Sequence, residues 1–145
     1  MTTLRKQYQF DISTEDLVLM YTFYLRSVLE FNSNVWFASI SNEEREDIDR
    51  VQRVACTIIL KDKYSGYQQA LDSLNLQSLS DRRQLLAKRF ALKCAKSEKF
   101  NDLFPLNQND TYLRDWGKYK VKLSRTGRLQ ESAIPAMQKL LNRQK

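Results

Sequence analysis

The chain contains no histidine. That absence removes the Ser-His-Asp triad, the histidine general base, the usual zinc site and the histidine-carboxylate iron centre of a dioxygenase from the chemistry it can supply unaided. Its three glycines are scattered, which leaves neither a phosphate-cradling Walker loop nor a dinucleotide fingerprint. No two aspartates are adjacent, so the paired-carboxylate turn that holds two metal ions in many polymerases is missing. The acidic run of Glu43, Glu44, Glu46, Asp47 and Asp49 follows one helix and cannot converge on an ion without a partner segment. It reads as a solvated first turn. No self-sufficient active site is legible, and we expect a non-enzyme with no cofactor and no metal.

Other scarcities narrow the fold. Three glycines and two prolines in 145 residues, with Leu, Arg, Lys, Gln, Glu and Ala common, disfavour a turn-rich β fold and favour helix. The longest apolar run, Leu17 to Leu25, includes Thr22 and is shorter than the roughly 20 residues needed to cross a bilayer. The first residues, with Arg5, Lys6 and Asp11, carry no secretory pattern. Cys56 and Cys94 are far apart and fall on expected helix faces, as small core residues of a reducing compartment do. Together these features predict a soluble intracellular protein, nuclear or cytoplasmic, that does not enter a membrane.

A chain of this length can bury roughly two thirds of its unfolded surface. Leu17, Met20, Tyr21, Tyr24, Leu25, Val28 and Leu29 recur at three-four spacing, predicting an amphipathic helix from near Thr14 to near Asn32. Ser13 and Asp16 form its loose capping pair. A better capping box, Ser41 with Glu44, opens a second helix with Ile48, Val51, Ala55, Ile58 and Ile59 inward. Val35, Trp36 and Phe37 are expected as a core plug between the two. Tyr67, Ala70, Leu71 and Leu74 predict a short third helix. Ser78 with Asp81 opens another that buries Leu79, Leu86, Phe90 and Cys94 beside Ala87 and Ala91. The expected architecture is all-α: a helical bundle of four main helices, with residues 1–104 a helical domain and 105–145 a basic C-terminal segment ending in a short helix.

The net charge of +7 is unevenly placed. Met1 to Gly117 holds 16 basic and 16 acidic residues, so the excess lies in Lys118 to Lys145, where eight basic residues face Glu131 alone. Arg82, Arg89, Lys93 and Lys96 stand at spacings of seven, four and three, which aligns them along one helix side. Such a stripe suits either solvation or the phosphates of a polyanion. Further on, Lys118, Lys120 and Lys122 alternate with Tyr119, Val121 and Leu123, the two-residue period of an extended segment with a basic and an apolar side. Such a segment must be tethered along the helices or become ordered on binding. Ser132, Ala133, Ile134 and Pro135 predict a last helix carrying Met137, Leu140 and Leu141.

Several of these segments resemble, in order, the region that follows the catalytic core of reverse transcriptases from non-LTR retrotransposons of the jockey type. Tyr21, Leu25, Arg26, Val28, Leu29, Glu30, Phe31, Val35 and Trp36 are similar to one signature of that region, and Ile48, Val51, Gln52, Arg53, Ala55 and Cys56 to the next. Tyr64, Tyr67, Ala70, Leu71, Leu74, Leu76, Ser78, Leu79, Arg82 and Arg83 follow a third pattern. Phe100, Phe104 and Pro105 precede a closing one in Arg125, Thr126, Arg128, Ser132, Ile134, Pro135, Leu140, Leu141 and Asn142. Ser27 and Asn34 depart from it, standing where the family usually has proline. The first segment also resembles the N-terminal helical region of AlkB-homologue-8-like sequences, whose dioxygenase or methyltransferase chemistry cannot reside in a chain without histidine.

The resemblance implies a thumb-like module beside a polymerase palm that this chain does not contain. It would bind RNA, DNA or an RNA–DNA hybrid through backbone phosphates, with Arg82, Arg89, Lys93, Lys96, Lys118, Lys120, Lys122, Arg125 and Arg128 as contacting groups. The alternative is a helical protein-interaction module or a non-functional transposon remnant. Its open apolar face near Tyr24, Phe31 and Trp36 would pack on a palm domain, on another protein or on itself.

Overall fold

The computed structural model describes residues 12–107, 117–121 and 125–143, and these form an all-α fold. The helices are α1 (Thr14–Met20), a π-helical stretch (Tyr21–Arg26), α2 (Ser27–Glu30), α3 (Ser33–Trp36), α4 (Asn42–Leu60), α5 (Tyr67–Ser73), α6 (Leu79–Ala95), α7 (Gly127–Gln130) and α8 (Ala133–Asn142). Among the described residues there is no strand, only one antiparallel bridge between Leu106 and Tyr119. The chain divides into two compact units: Met1–Phe31 with Ser41–Arg82, and Asn32–Ile40 with Arg83–Lys145. This division falls inside α6 and not at the 104/105 boundary expected from the sequence.

In the first unit, local chemistry sets the helix ends. The Ser13 hydroxyl accepts from the Asp16 amide at 3.2 Å and opens α1. Ser41 and Glu44 form the expected reciprocal box at the start of α4: the Glu44 amide donates to Ser41 Oγ at 3.2 Å and the Ser41 amide to Glu44 Oε2 at 2.7 Å. The Ser41 amide, and after it the Ser41 hydroxyl, hold the Glu44 carboxyl below its usual titration range. Helix α5 closes on Asn75 at φ 51°, with the Leu76 amide donating to the Leu71 carbonyl at 2.8 Å and the Asn75 amide to Asp72 at 3.2 Å. That is the Schellman arrangement, in which asparagine tolerates the left-handed turn. Leu17, Tyr21, Ala55, Cys56, Ile59, Ala70, Leu71 and Leu74 form the core of this unit. Burying each large aliphatic chain among them is worth roughly 1.5–3 kcal/mol.

The π-helical stretch changes which residues reach that core. Ser27 Oγ donates to the Phe23 carbonyl at 2.5 Å and to the Tyr24 carbonyl at 3.1 Å, engaging acceptors that an α-helical ladder would give to backbone amides. The wider turn rotates the residues beyond it. Leu25 stays packed on the core, whereas Tyr24 and Val28, expected inside from regular spacing, are exposed. Arg26 and Glu30 take the covered positions instead, with side chains 16% and 13% exposed.

Gln52 is fully buried and serves three elements of the first unit. Its Oε1 accepts from the Tyr67 hydroxyl at 2.7 Å and from the Leu79 amide at 2.9 Å, and its Nε2 donates to the Gln77 carbonyl at 3.0 Å. The Leu79 amide is one of the orphan donors of the first turn of α6, so a side chain on α4 does a capping residue's work. Ser78 caps the same end through Asp81, as its spacing predicts.

In the second unit, Ala91, Cys94, Phe104, Tyr119, Met137 and Leu141 form a separate core, with Phe37, Leu92, Ala95 and Ala133 packed against it. Of the expected Val35–Phe37 plug, Phe37 packs against this second core, whereas Val35 is exposed. Phe90, expected inward with Leu86, is exposed because the buried line of α6 runs instead through Ala87, Ala91 and Cys94. Phe104 and Tyr119 meet edge to face at 6.1 Å. Gln138 Nε2 donates to the Leu103 carbonyl at 2.7 Å and ties α8 to the turn before Phe104.

The described part of the basic alternating segment, 118–121, is tethered. The Asn107 amide donates to the Lys118 carbonyl at 3.0 Å and the Lys120 amide to the Pro105 carbonyl at 2.9 Å. On its other edge, Asn142 of α8 accepts from the Tyr119 amide and donates to the Tyr119 carbonyl, each at 2.8 Å, as a neighbouring strand would. Gly117 lies at φ 71° against Asn142, where any Cβ would collide with that side chain.

Candidate nucleic-acid interface

The unit boundary sorts the charge more sharply than the sequence reading does. The first unit holds nine basic and twelve acidic residues, a net of −3; the second holds fifteen basic against five acidic, a net of +10. The positive field therefore belongs to the second unit as a whole and not to its tail alone.

The expected site residues fall into three sets. Arg82 belongs to the first unit, where Glu30 engages its guanidinium: Nη2 donates to Oε2 at 2.9 Å, and Nε makes a second, closer bond to Oε1. This bond to Glu30 is the main reason that the Arg82 pKa is raised. Arg26 lies 4.0 Å from the same carboxylate. The Arg82 charge is therefore engaged in an internal ion pair, 52 residues apart in sequence, that periodicity cannot show.

The second set is Arg89 and Lys93 on α6 with Lys96 directly after its last residue. All three are exposed, and none makes an ion pair with a described residue. Arg89 and Lys93 stand four residues apart on one helix face and Lys96 follows three residues later, so the three cations extend along about 10 Å at the C-terminal end of α6. Ala87 and Ala91, near the opposite side, are fully buried. This burial holds the cationic face outward. Two neighbours that the sequence reading did not select lie close by: Lys99, exposed just after α6, and Phe90, which is 42% exposed beside the cations.

The third set lies after Gly117. Lys118 and Lys120 are exposed on either side of the buried Tyr119, the alternation that the two-residue period predicts, and the Lys118 ammonium rests 5.6 Å from the Tyr119 ring centroid. Arg125 and Arg128 are exposed, whereas Lys122 lies outside the described residues. Ala91 on α6 and Tyr119 between Lys118 and Lys120 share one core, and the cations beside them are exposed. Both sets belong to the second unit.

The arrangement offers exposed positive charge. Among the described residues no group of three or more His, Cys, Asp or Glu is placed to hold a metal ion, and no helix is long and apolar enough to cross a membrane. Both cysteines are buried free thiols, and desolvation pushes Cys56 up to about 11, far from a reactive thiolate. No family model, characterised protein or solved structure matches this chain.

Proposed function

We propose that this protein is a non-catalytic nucleic-acid-binding module that holds RNA, DNA or an RNA–DNA hybrid by its backbone phosphates. The observation that carries the reading is the outward cationic face at the C-terminal end of α6, where Arg89, Lys93 and the adjoining Lys96 lie unpaired among the described residues in a unit of net charge +10. Guanidinium and ammonium groups spaced along a helix meet phosphates without reading base edges, so the binding is shape- and charge-directed with little sequence preference. Lys118, Lys120, Arg125 and Arg128 form the second contact set, and Lys122 belongs with them by sequence. Arg82 is left out of the contact set, because its charge is satisfied by Glu30. The motif resemblance supports a module of the kind found after the catalytic core of a non-LTR retrotransposon reverse transcriptase, beside a palm domain that would do the chemistry.

Fluorescence anisotropy with labelled duplex DNA, duplex RNA and hybrid tests this directly. The expected result is binding to all three, weakening by roughly 0.9 log units per phosphate contact per tenfold rise in salt on duplex DNA. A salt-independent titration, or no binding at low salt, would overturn it.

A further inference from the structure

The first unit exposes an apolar strip that its own core does not use. Leu19 is 51% exposed, Phe23 68%, Tyr24 73%, Val28 73% and Phe31 75%. The strip exists because the π-helical stretch and the Ser27 hydroxyl rotate Tyr24 and Val28 out of the buried face. With aromatic side chains contributing about 200 Å² each, the five residues present roughly 650 Å² of accessible surface. That is at or above the largest apolar patch typical of a monomer, about 300–600 Å².

We infer that this strip is a homodimer interface, covered by the same strip of a second copy. The first argument is area. Two such faces bury roughly 1,300 Å² together, within the range of about 1,200–2,000 Å² that stable, specific interfaces bury. The second is charge. Between Leu17 and Leu29 the one charged residue is Arg26, and it lies beside Glu30 on the covered side of the helix. A twofold contact sets each residue against the same surface of its copy, so any charge on the strip would face its like. This strip carries none. The third is composition: Phe23, Tyr24 and Phe31 are aromatic, a residue type enriched at interface centres. The inference does not rest on the phosphate reading, since every residue of the strip lies in the first unit and every proposed phosphate contact in the second.

Sedimentation equilibrium of the full chain tests it, with disulfide trapping as a second readout. The wild-type chain should dimerise with rising concentration, and Phe23→Asp with Phe31→Asp should be monomeric with unchanged helical circular dichroism. Tyr24 lies mid-strip and near its own copy across a twofold axis, so Tyr24→Cys should form a covalent dimer under mild oxidant. Asp72→Cys, exposed on α5, should not, and the buried Cys56 and Cys94 should stay silent. A wild-type chain monomeric at every concentration, a dimer that survives the double substitution, or trapping at position 72 as efficient as at position 24 would each overturn the inference.

Discussion

Asn142 makes both backbone hydrogen bonds of Tyr119, donating to its carbonyl and accepting from its amide at 2.8 Å each. One amide side chain at the end of α8 thus replaces a strand, and it keeps the Tyr119 ring in the second core with Lys118 and Lys120 outward. Asn142→Leu removes both bonds and leaves two partly buried backbone groups unpaired. We expect a loss of about 2 kcal/mol in urea unfolding, with increased amide exchange at Tyr119.

Glu30 and Arg82 form the second long-range pair. Glu30→Ala leaves the Arg26 and Arg82 guanidinium groups close together without their shared carboxylate, and should destabilise the protein by about 1–2 kcal/mol. Arg82→Ala should cost less stability and should leave nucleic-acid affinity within about twofold of wild type, since its charge is already engaged. A double-mutant cycle at positions 30 and 82 reads the coupling.

How much of this was legible in the sequence depends on how local each feature is. The capping pairs Ser13/Asp16, Ser41/Glu44 and Ser78/Asp81 depend on residues three apart, and each forms as expected. The all-α fold and the inward Ala55, Ile59, Ala87 and Ala91 follow from the three-four period in the same way. The π-helical stretch breaks that period, so a regular wheel misplaces Tyr24 and Val28, and nothing in the spacing announces it. The remaining surprises are contacts between distant segments. Gln52 looks like any polar helix residue until Tyr67, Gln77 and Leu79 surround it. Arg82 looks like one more cation of the stripe until Glu30 meets it. Among the site residues, the exposure of Arg89, Lys93 and Lys96 was readable from helix geometry, but the division of charge at Arg82/Arg83 depends on tertiary packing.

Gln52 should be the least replaceable polar residue of the first unit. Gln52→Leu keeps a similar volume but removes the side-chain partner of the Leu79 amide and the Gln77 carbonyl and one bond of the Tyr67 hydroxyl. The expected cost is about 3 kcal/mol in chemical denaturation, with the start of α6 fraying first in hydrogen exchange.

Burial also sets an alkaline limit. Desolvation raises the Cys56 thiol from 9.0 to about 11 and pushes the Tyr21 phenol above its usual value of 10.0. Both groups are therefore held neutral in the folded state. For Cys56 the stabilisation this gives is fully present below pH 9.0 and is lost as pH rises through about 11, and for Tyr21 the loss begins only above 10.0, because the unfolded chain ionises first. Urea midpoints at pH 7, 9 and 10.5 should fall over the last interval. Cys56→Ala should reduce the part of that fall that the thiol contributes.

The central claim is that the outward face of α6 holds phosphates. Its most direct test compares wild-type protein with Arg89→Ala/Lys93→Ala/Lys96→Ala on the same duplex DNA across a salt series. Loss of three contacts should lower the slope of log affinity against log salt by about 2–3 units, with helical content and urea midpoint unchanged. Superimposable salt curves for the two proteins would contradict the account.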